Sequence, residues 1–301
     1  LIAGGEGMVH DHDSDTFSST TTASFTADMY LGAVNGSGIN TNEVSGDEAI
    51  QAYYGFQIDL NTSFTGEDSL DVSLDAGNGG PLTVGELDLN GGSDGLVVDG
   101  VSYTFPVGDK TTVFVGDNTD GSALYSTACV YGGITNTLDD CGNVNSALGS
   151  GQGTAAGASF DIGNGFTAAV GYTGAGSSTQ GLLTKEGGDA FGGQLTYTAD
   201  SYGASVTYAN IETTATASPY AAVANEDVTY WGLNGYWTPS DSGSMPSISV
   251  GYEMGDSEKS TVKDTSTFFV GLQWDEVGPG TFGAALGTTG HITDGQTEYY
   301  M

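Results

Sequence analysis

Residues 50–76 read IQAYYGFQIDLNTSFTGEDSLDVSLDA. The even positions Ile50, Ala52, Tyr54, Phe56, Ile58 and Leu60 form one face, and Gln51, Tyr53, Gln57, Asp59 and Asn61 form the other. After Phe64–Asp68 the alternation resumes, with Leu70, Val72, Leu74 and Ala76 set against Asp71, Ser73 and Asp75. Period-two patterning on both sides of a Gly- and Asp-bearing connection predicts two antiparallel strands joined by a turn. Each strand is apolar on one face and carries carboxylates on the other.

The same rhythm runs outward in both directions. From Thr20 to Val34 the apolar row holds Ala23, Phe25, Ala27, Met29 and Leu31, and the opposite row holds Asp28. Similar segments recur at 96–107, 111–117, 154–163, 166–174, 189–199, 202–211, 228–238, 246–255, 267–275, 280–288 and 296–301. With the first three that makes fourteen, and no stretch of useful length has helical periodicity. Many are near ten residues, the length a tilted strand needs to cross a bilayer.

The connections alternate in length. Short ones are Phe64–Asp68, Gly108–Lys110, Gly163–Gly165, Ala199–Ser201, Pro239–Met245 and Asp275–Gly278. Long ones are 35–48, 77–95, 118–153, 175–188, 212–227, 256–266 and 288–295. A sandwich or solenoid has no reason to alternate in this way. An up-and-down barrel in an outer membrane does, with short periplasmic turns and long external loops. Aromatics gather beside the short turns: Tyr103 and Phe105, Phe160 and Phe166, Tyr197 and Tyr202, Tyr236 and Trp237, Trp274 and Phe282. One interfacial girdle is expected there.

Composition narrows the partners. The 301 residues carry 38 Asp and Glu against 4 Lys and Arg, a net charge of −34. The only cations are Lys110, Lys185, Lys259 and Lys263, too few to bind nucleic acid or dock on anionic lipid through a basic face. There is no apolar run of 18 residues, hence no transmembrane helix. Low hydrophobicity with high charge suits disorder, but 16 Tyr, 12 Phe and 3 Trp in strand patterning oppose it. A filled soluble barrel would not hold Asp28, Asp59, Asp71 and Asp75 inside. A water-filled lumen would, with the apolar face toward lipid. On this reading Phe25, Met29, Ile58, Val72, Val170 and Leu195 face lipid, and Asp28, Gln51, Gln57, Asp59, Asn61, Asp71 and Asp75 line the pore.

Four stretches carry a family resemblance: LNTSFTGEDSLDVSLDAGN (60–78), VDGVSYTFPVGDKTTVFVGDN (98–118), ACVYGGITNTLDDCGN (128–143) and DEVGPGTFGAALG (275–287). Together they resemble the cyanobacterial outer-membrane porins, related to the carbohydrate-selective porins and also labelled iron-uptake porins, the marine picocyanobacterial branch most of all. The strings N-T-S-F-T-G-x-D and Y-x-F-P-x-G-[DE]-K are specific in combination. The resemblance implies an all-β, 16-stranded antiparallel barrel in the cell outer membrane, homotrimeric, in contact with lipid and lipopolysaccharide. Members carry an N-terminal S-layer-homology domain that holds peptidoglycan. The expectation here is an acidic linker over 1–16, a barrel domain over 17–301 and both native ends missing. Relatives place basic residues where this chain has Asp71 and Asp75, so inherited anion or sugar selectivity does not carry over.

Cys129 and Cys141 are the only cysteines, in the longest connection. An even count in an oxidising compartment favours one disulfide. It would stabilise its short loop by roughly 2–3 kcal/mol. Two free thiols would need a reducing surrounding, and a metal pair would need nearby His. The connection itself, 118–153, has two readings. By analogy with general porins it folds into the barrel, bringing Asp139 and Asp140 to a constriction; otherwise it is an external cap against a neighbouring subunit.

Other motifs are weaker. His10, Asp11, His12, Asp13 and Asp15 read as a flexible acidic linker sooner than a divalent site. Asp117-Asn118-Thr119-Asp120-Gly121 misses the calcium-loop spacing and its closing Glu, leaving at most weak Ca²⁺ binding. No cofactor or resident metal is expected. No nucleophile elbow or His-Asp partner set appears, so catalysis has no support. The favoured function is a cation-preferring passive channel for small hydrophilic solutes and ions. The alternative is a secreted, acidic, β-rich adhesin or surface-layer module without a channel.

Overall fold

The computed structural model describes residues 20–32, 50–78, 95–132, 153–174, 181–184, 187–213, 226–240, 245–257, 264–278, 280–288 and 292–293. Its strands are β1 (Thr21–Gly32), β2 (Gln51–Thr62), β3 (Ser69–Gly77), β4 (Val97–Val107), β5 (Thr111–Thr119), β6 (Gly153–Gly163), β7 (Phe166–Gly174), β8 (Asp189–Thr198), β9 (Tyr202–Thr213), β10 (Glu226–Trp237), β11 (Ser247–Ser257), β12 (Thr265–Val277), β13 (Gly280–Gly287) and β14 (Ile292–Thr293). β1 to β13 pair in sequence order, every neighbour antiparallel. This is the all-β, up-and-down architecture expected. The expected strand at 296–301 lies outside the described residues. The short β14 falls in a stretch read as loop, and extends the sheet beside β12 beyond the end of β13. Among the described residues no ladder joins β1 to β13.

Connections between strands alternate as expected from β1 to β10, short at one end of the sheet and long at the other; beyond β10 the lengths cross over, with nine residues between β10 and β11 and seven between β11 and β12. The turn Gly163–Asn164–Gly165 shows why the short ends need particular residues. All three have positive φ, at 95°, 56° and 85°. Glycine adopts this without penalty and asparagine at little cost.

Burial is reversed relative to a water-soluble sheet. Along β11 the exposed residues are Ile248, Val250, Tyr252 and Met254, with Asp256 at the loop end; the buried ones are Ser247, Ser249, Gly251, Glu253 and Gly255. The same parity crosses the sheet in registered rows. One outward row runs Phe105, Val113, Ala158, Val170, Gly193, Tyr208, Trp231, Met254. Full burial of one Val, Leu or Phe side chain is worth about 1.5–3 kcal/mol. A belt that leaves such side chains out on β1 and on every strand from β4 to β13 is stable only against hydrocarbon.

Phe25, Met29, Val170 and Leu195 are exposed on this outer face, and Ile58 and Val72 share it through Phe25↔Ile58 and Val72↔Val101 pairing. The aromatic cluster beside the short turns also forms, through Tyr103–Phe105, Phe166–Tyr197, Tyr197–Tyr202 and Trp274–Phe282 contacts at 5.4, 4.8, 5.8 and 5.6 Å. Tyr236 departs from it. Adjacent strand residues face opposite ways, so Trp237 points out while Tyr236 points in, against Gly203.

Candidate functional site

The inner face of β1–β5 carries carboxylates held by neutral donors. Asp59 Oδ1 accepts from Gln57 Nε2 at 2.8 Å and from Ser73 Oγ at 2.7 Å. Asp71 accepts from Asn61 Nδ2 at 2.6 Å and Ser69 Oγ at 2.7 Å. Asp28 stands exposed on β1. Asp75 is on the same face of β3 but buried, so it does not line open water as expected. The side chain of Gln51, and Asp139 and Asp140, lie outside the described residues. With no Arg in the chain, amides and hydroxyls take the place of counter-ions.

The opposite wall is covered by the chain itself. After β5, residues 120–132 cross the inner face from β7 to β12. Gly121 N donates to Thr173 Oγ1 at 2.6 Å. Ser126 N donates to Gln194 Oε1 at 2.7 Å, and Gln194 Nε2 returns a bond to Ser126 O at 2.9 Å. Val130 N donates to Ser249 Oγ at 3.0 Å, and Gly132 N to Gln273 Oε1 at 2.9 Å. Thr173 lies near the long-loop end of β7, whereas Ser249 and Gln273 lie near the short-turn ends of β11 and β12. The segment therefore descends diagonally through the lumen. Five strand spacings are roughly 24 Å, within reach of a dozen extended residues.

Packing reinforces these bonds. Tyr125 sits on Ala190, Ala209, Ile211, Val228 and Tyr230. Burial pushes its phenol above the ordinary range, and nearby Asp120 acts in the same direction, so the ring stays neutral. Tyr131 packs on Phe269 at 5.3 Å, with Cys129 beside it. Gly171 is where the two backbones meet: a Cβ there would lie 1.9 Å from Gly121 O. Of the two readings of 118–153, the described part follows the inward one. Cys141 lies outside the described residues.

The pinning residues Thr173, Gln194, Ser249 and Gln273 were not singled out from sequence. The faint signal was a glutamine on the inward face of β8, among Ala190, Gly192, Thr196 and Thr198. In the motif Asp117–Gly121 both carboxylates have partners within the chain. Asp117 accepts from Thr154 Oγ1, Asp120 accepts from Ser122, and among the described residues no three His, Cys, Asp or Glu side chains could hold one metal ion.

No protein-family model matches the chain, and no curated protein matches it. Solved structures do. OprB of Pseudomonas putida aligns over 95% of this chain and 77% of its own, with TM-score 0.55 and 10% identity. A porin refined at 1.8 Å aligns over 92% of this chain and 97% of its own, with TM-score 0.50 and 12% identity. At such identities the likeness concerns the fold. The chain has the porin type of β-barrel wall.

Proposed function

We propose that the protein is an outer-membrane porin of the cyanobacterial type its motifs resemble: a water-filled channel for passive diffusion of small hydrophilic solutes and ions, preferring cations. The observation that carries this is the reversed burial together with the covered wall. The apolar face looks outward, and residues 120–132 occupy the β7–β12 side of the lumen. Permeating solutes are left the wall of β1–β5, where Asp28, Asp59 and Asp71 stand. Charge of one sign along a narrow aqueous path concentrates counter-ions. No enzymatic step belongs to this reading.

Planar-bilayer reversal potentials under a KCl gradient test it. The expected sign is cation-selective, and the preference shrinks as salt rises, because the Debye length is only ~8 Å at physiological ionic strength. Asp71→Asn should reduce it. A near-zero potential at low salt, or an anion-selective sign, defeats the proposal. An adhesin would stay soluble without detergent and conduct nothing. Trimer assembly and a Cys129–Cys141 bridge belong to the same proposal. Mass measurement in mild detergent and peptide mapping without reduction check them.

A further inference from the structure

On the outer face of β7–β10 the aromatic residues form two rings. The first, beside the short turns, is Phe166, Tyr197, Tyr202 and Trp237. The second sets Tyr172 against Phe191 and Tyr208 against Trp231, at 5.0 and 4.9 Å. On each of the four strands the rings stand six residues apart: 166 to 172, 197 to 191, 202 to 208 and 237 to 231. That is roughly 20 Å along a strand. At the ~40° tilt of a bilayer-spanning barrel it is about 15 Å along the membrane normal, against an apolar band of about 25 Å. Past the second ring, β9 and β10 turn polar on this face, with Asn210 opposite Thr229 and Glu212 opposite Asp227. β7 and β8 continue differently.

There, residues of the β7–β8 connection lie over the outer wall. β7 ends at Gly174, in register with Asp189 at the start of β8. Leu182 rests against this end: a Cβ at Gly174 would come 2.5 Å from Leu182 Cδ2 and 2.4 Å from Tyr172 OH. Asp189 is the tether. It is buried, and its Oδ1 accepts from Tyr172 OH and, at 3.3 Å, from Leu183 N. Leu183 is held there with φ at 59°. A left-handed backbone is uncommon for a bulky side chain and persists only where the surroundings over-determine it. The outcome is two adjacent leucines presented beyond the second ring, Leu182 39% and Leu183 69% exposed. A single exposed leucine is ordinary; a strained one beside another, tied down by a buried carboxylate, calls for a partner.

We propose that residues 181–184 are a bilayer anchor, with Leu182 and Leu183 inserted among the acyl chains of the leaflet on the long-loop side. The inference rests on the lipid-facing belt of the channel reading above. Leu182 touches the Tyr172 end of that belt, so the apolar surface runs on from the second ring with no polar strip between. It does so where the strand aromatics by themselves leave the belt short of the hydrocarbon thickness. Asp189, being buried, brings no exposed charge to this surface. Transfer of apolar side chains out of water is favourable in proportion to their area, and that gain offsets the left-handed backbone of Leu183.

The test is the tryptophan fluorescence of Leu183→Trp in phosphatidylcholine vesicles, compared with the parent in the same vesicles. Lipid brominated on its acyl chains quenches from the hydrocarbon; acrylamide quenches from water. The fluorescence that Leu183→Trp adds should be blue-shifted, lose most of its intensity in brominated vesicles and change little with acrylamide. Strong loss to acrylamide overturns the anchor, whatever the brominated lipid does, because it places position 183 in water. Resistance to both quenchers also overturns it, because it places position 183 against another protein surface, a second copy of this chain included. Heat-modifiable gel mobility confirms that the variant folds, and Leu182→Trp carries the same test if Leu183→Trp does not. The parent's Trp231 and Trp237, exposed on the outer face, separate the two readings. If brominated lipid quenches them but not the added fluorescence, the anchor falls and the belt stands; if it leaves them unquenched, the lipid-facing belt itself falls.

Discussion

Asp68 accepts five hydrogen bonds: from Ser63 Oγ, Phe64 N, Thr65 N, Thr65 Oγ1 and, across the sheet, Tyr103 OH at 2.6 Å. These residues explain two strings of the motif resemblance. N-T-S-F-T-G-x-D is a turn wrapped around one carboxylate, and the Tyr of Y-x-F-P-x-G-[DE]-K reaches back to it. Led by the Tyr103 bond, this shell holds the Asp68 carboxyl well below the usual carboxylate range. A depressed pKa means the ionised form is favoured by folding. The stability it contributes is therefore complete at neutral pH and is lost as pH falls below the ordinary carboxylate value of about 4. Asp68→Asn should lower the unfolding temperature at pH 7, and the gap from the parent should close progressively under acid. Thermal melts of the detergent-solubilised protein across that range check this. The turn was legible from residue order; the Tyr103 partner, 35 positions away, was not.

At the scale of elements, the strands were legible because a sheet with two different solvents on its faces writes a period of two into every strand. The 120–132 segment left no such mark. Its course depends on single side chains of β7, β8, β11 and β12, far apart in sequence and brought to one wall only by the curl of the sheet. Gly171 is its tightest constraint, and a substitution there tests the placement. In Gly171→Val the new side chain displaces Gly121, at a cost of about 1–3 kcal/mol for overpacking. The segment should lift from the wall while the strands persist. The expected result is a larger single-channel conductance with unchanged strand content by circular dichroism. Unchanged conductance in a folded variant would mean the segment does not narrow the path.

For the molecule as a whole, the reversed burial is the property that matters most. Val170 is 59% exposed in mid-strand on β7. Valine there suits hydrocarbon; Arg would have to take its charge into the bilayer. Val170→Arg should destabilise the barrel by roughly 2–4 kcal/mol near the midplane, measured by reversible urea unfolding in liposomes. An effect near zero would place Val170 in water and sink the lipid-facing belt. The same reversal explains how 38% hydrophobic residues suffice: most of the apolar side chains go to the outer face, and the inner face needs only small clusters such as the one under Tyr125.

The residue order by itself determined the strands β1–β13, where their turns fall and which face of each strand is apolar. All are local properties, repeated every second residue or at every turn, and each repetition corrects errors in the others. Only the tertiary structure decided that Asp75 is buried while Asp28 is exposed, that Tyr236 points inward, and that residues 120–132 lie along β7–β12. These depend on sheet curvature and contacts between residues dozens of positions apart. Alternation assigns a side chain to a face, but what else comes to rest on that face is fixed by the curl of the whole sheet.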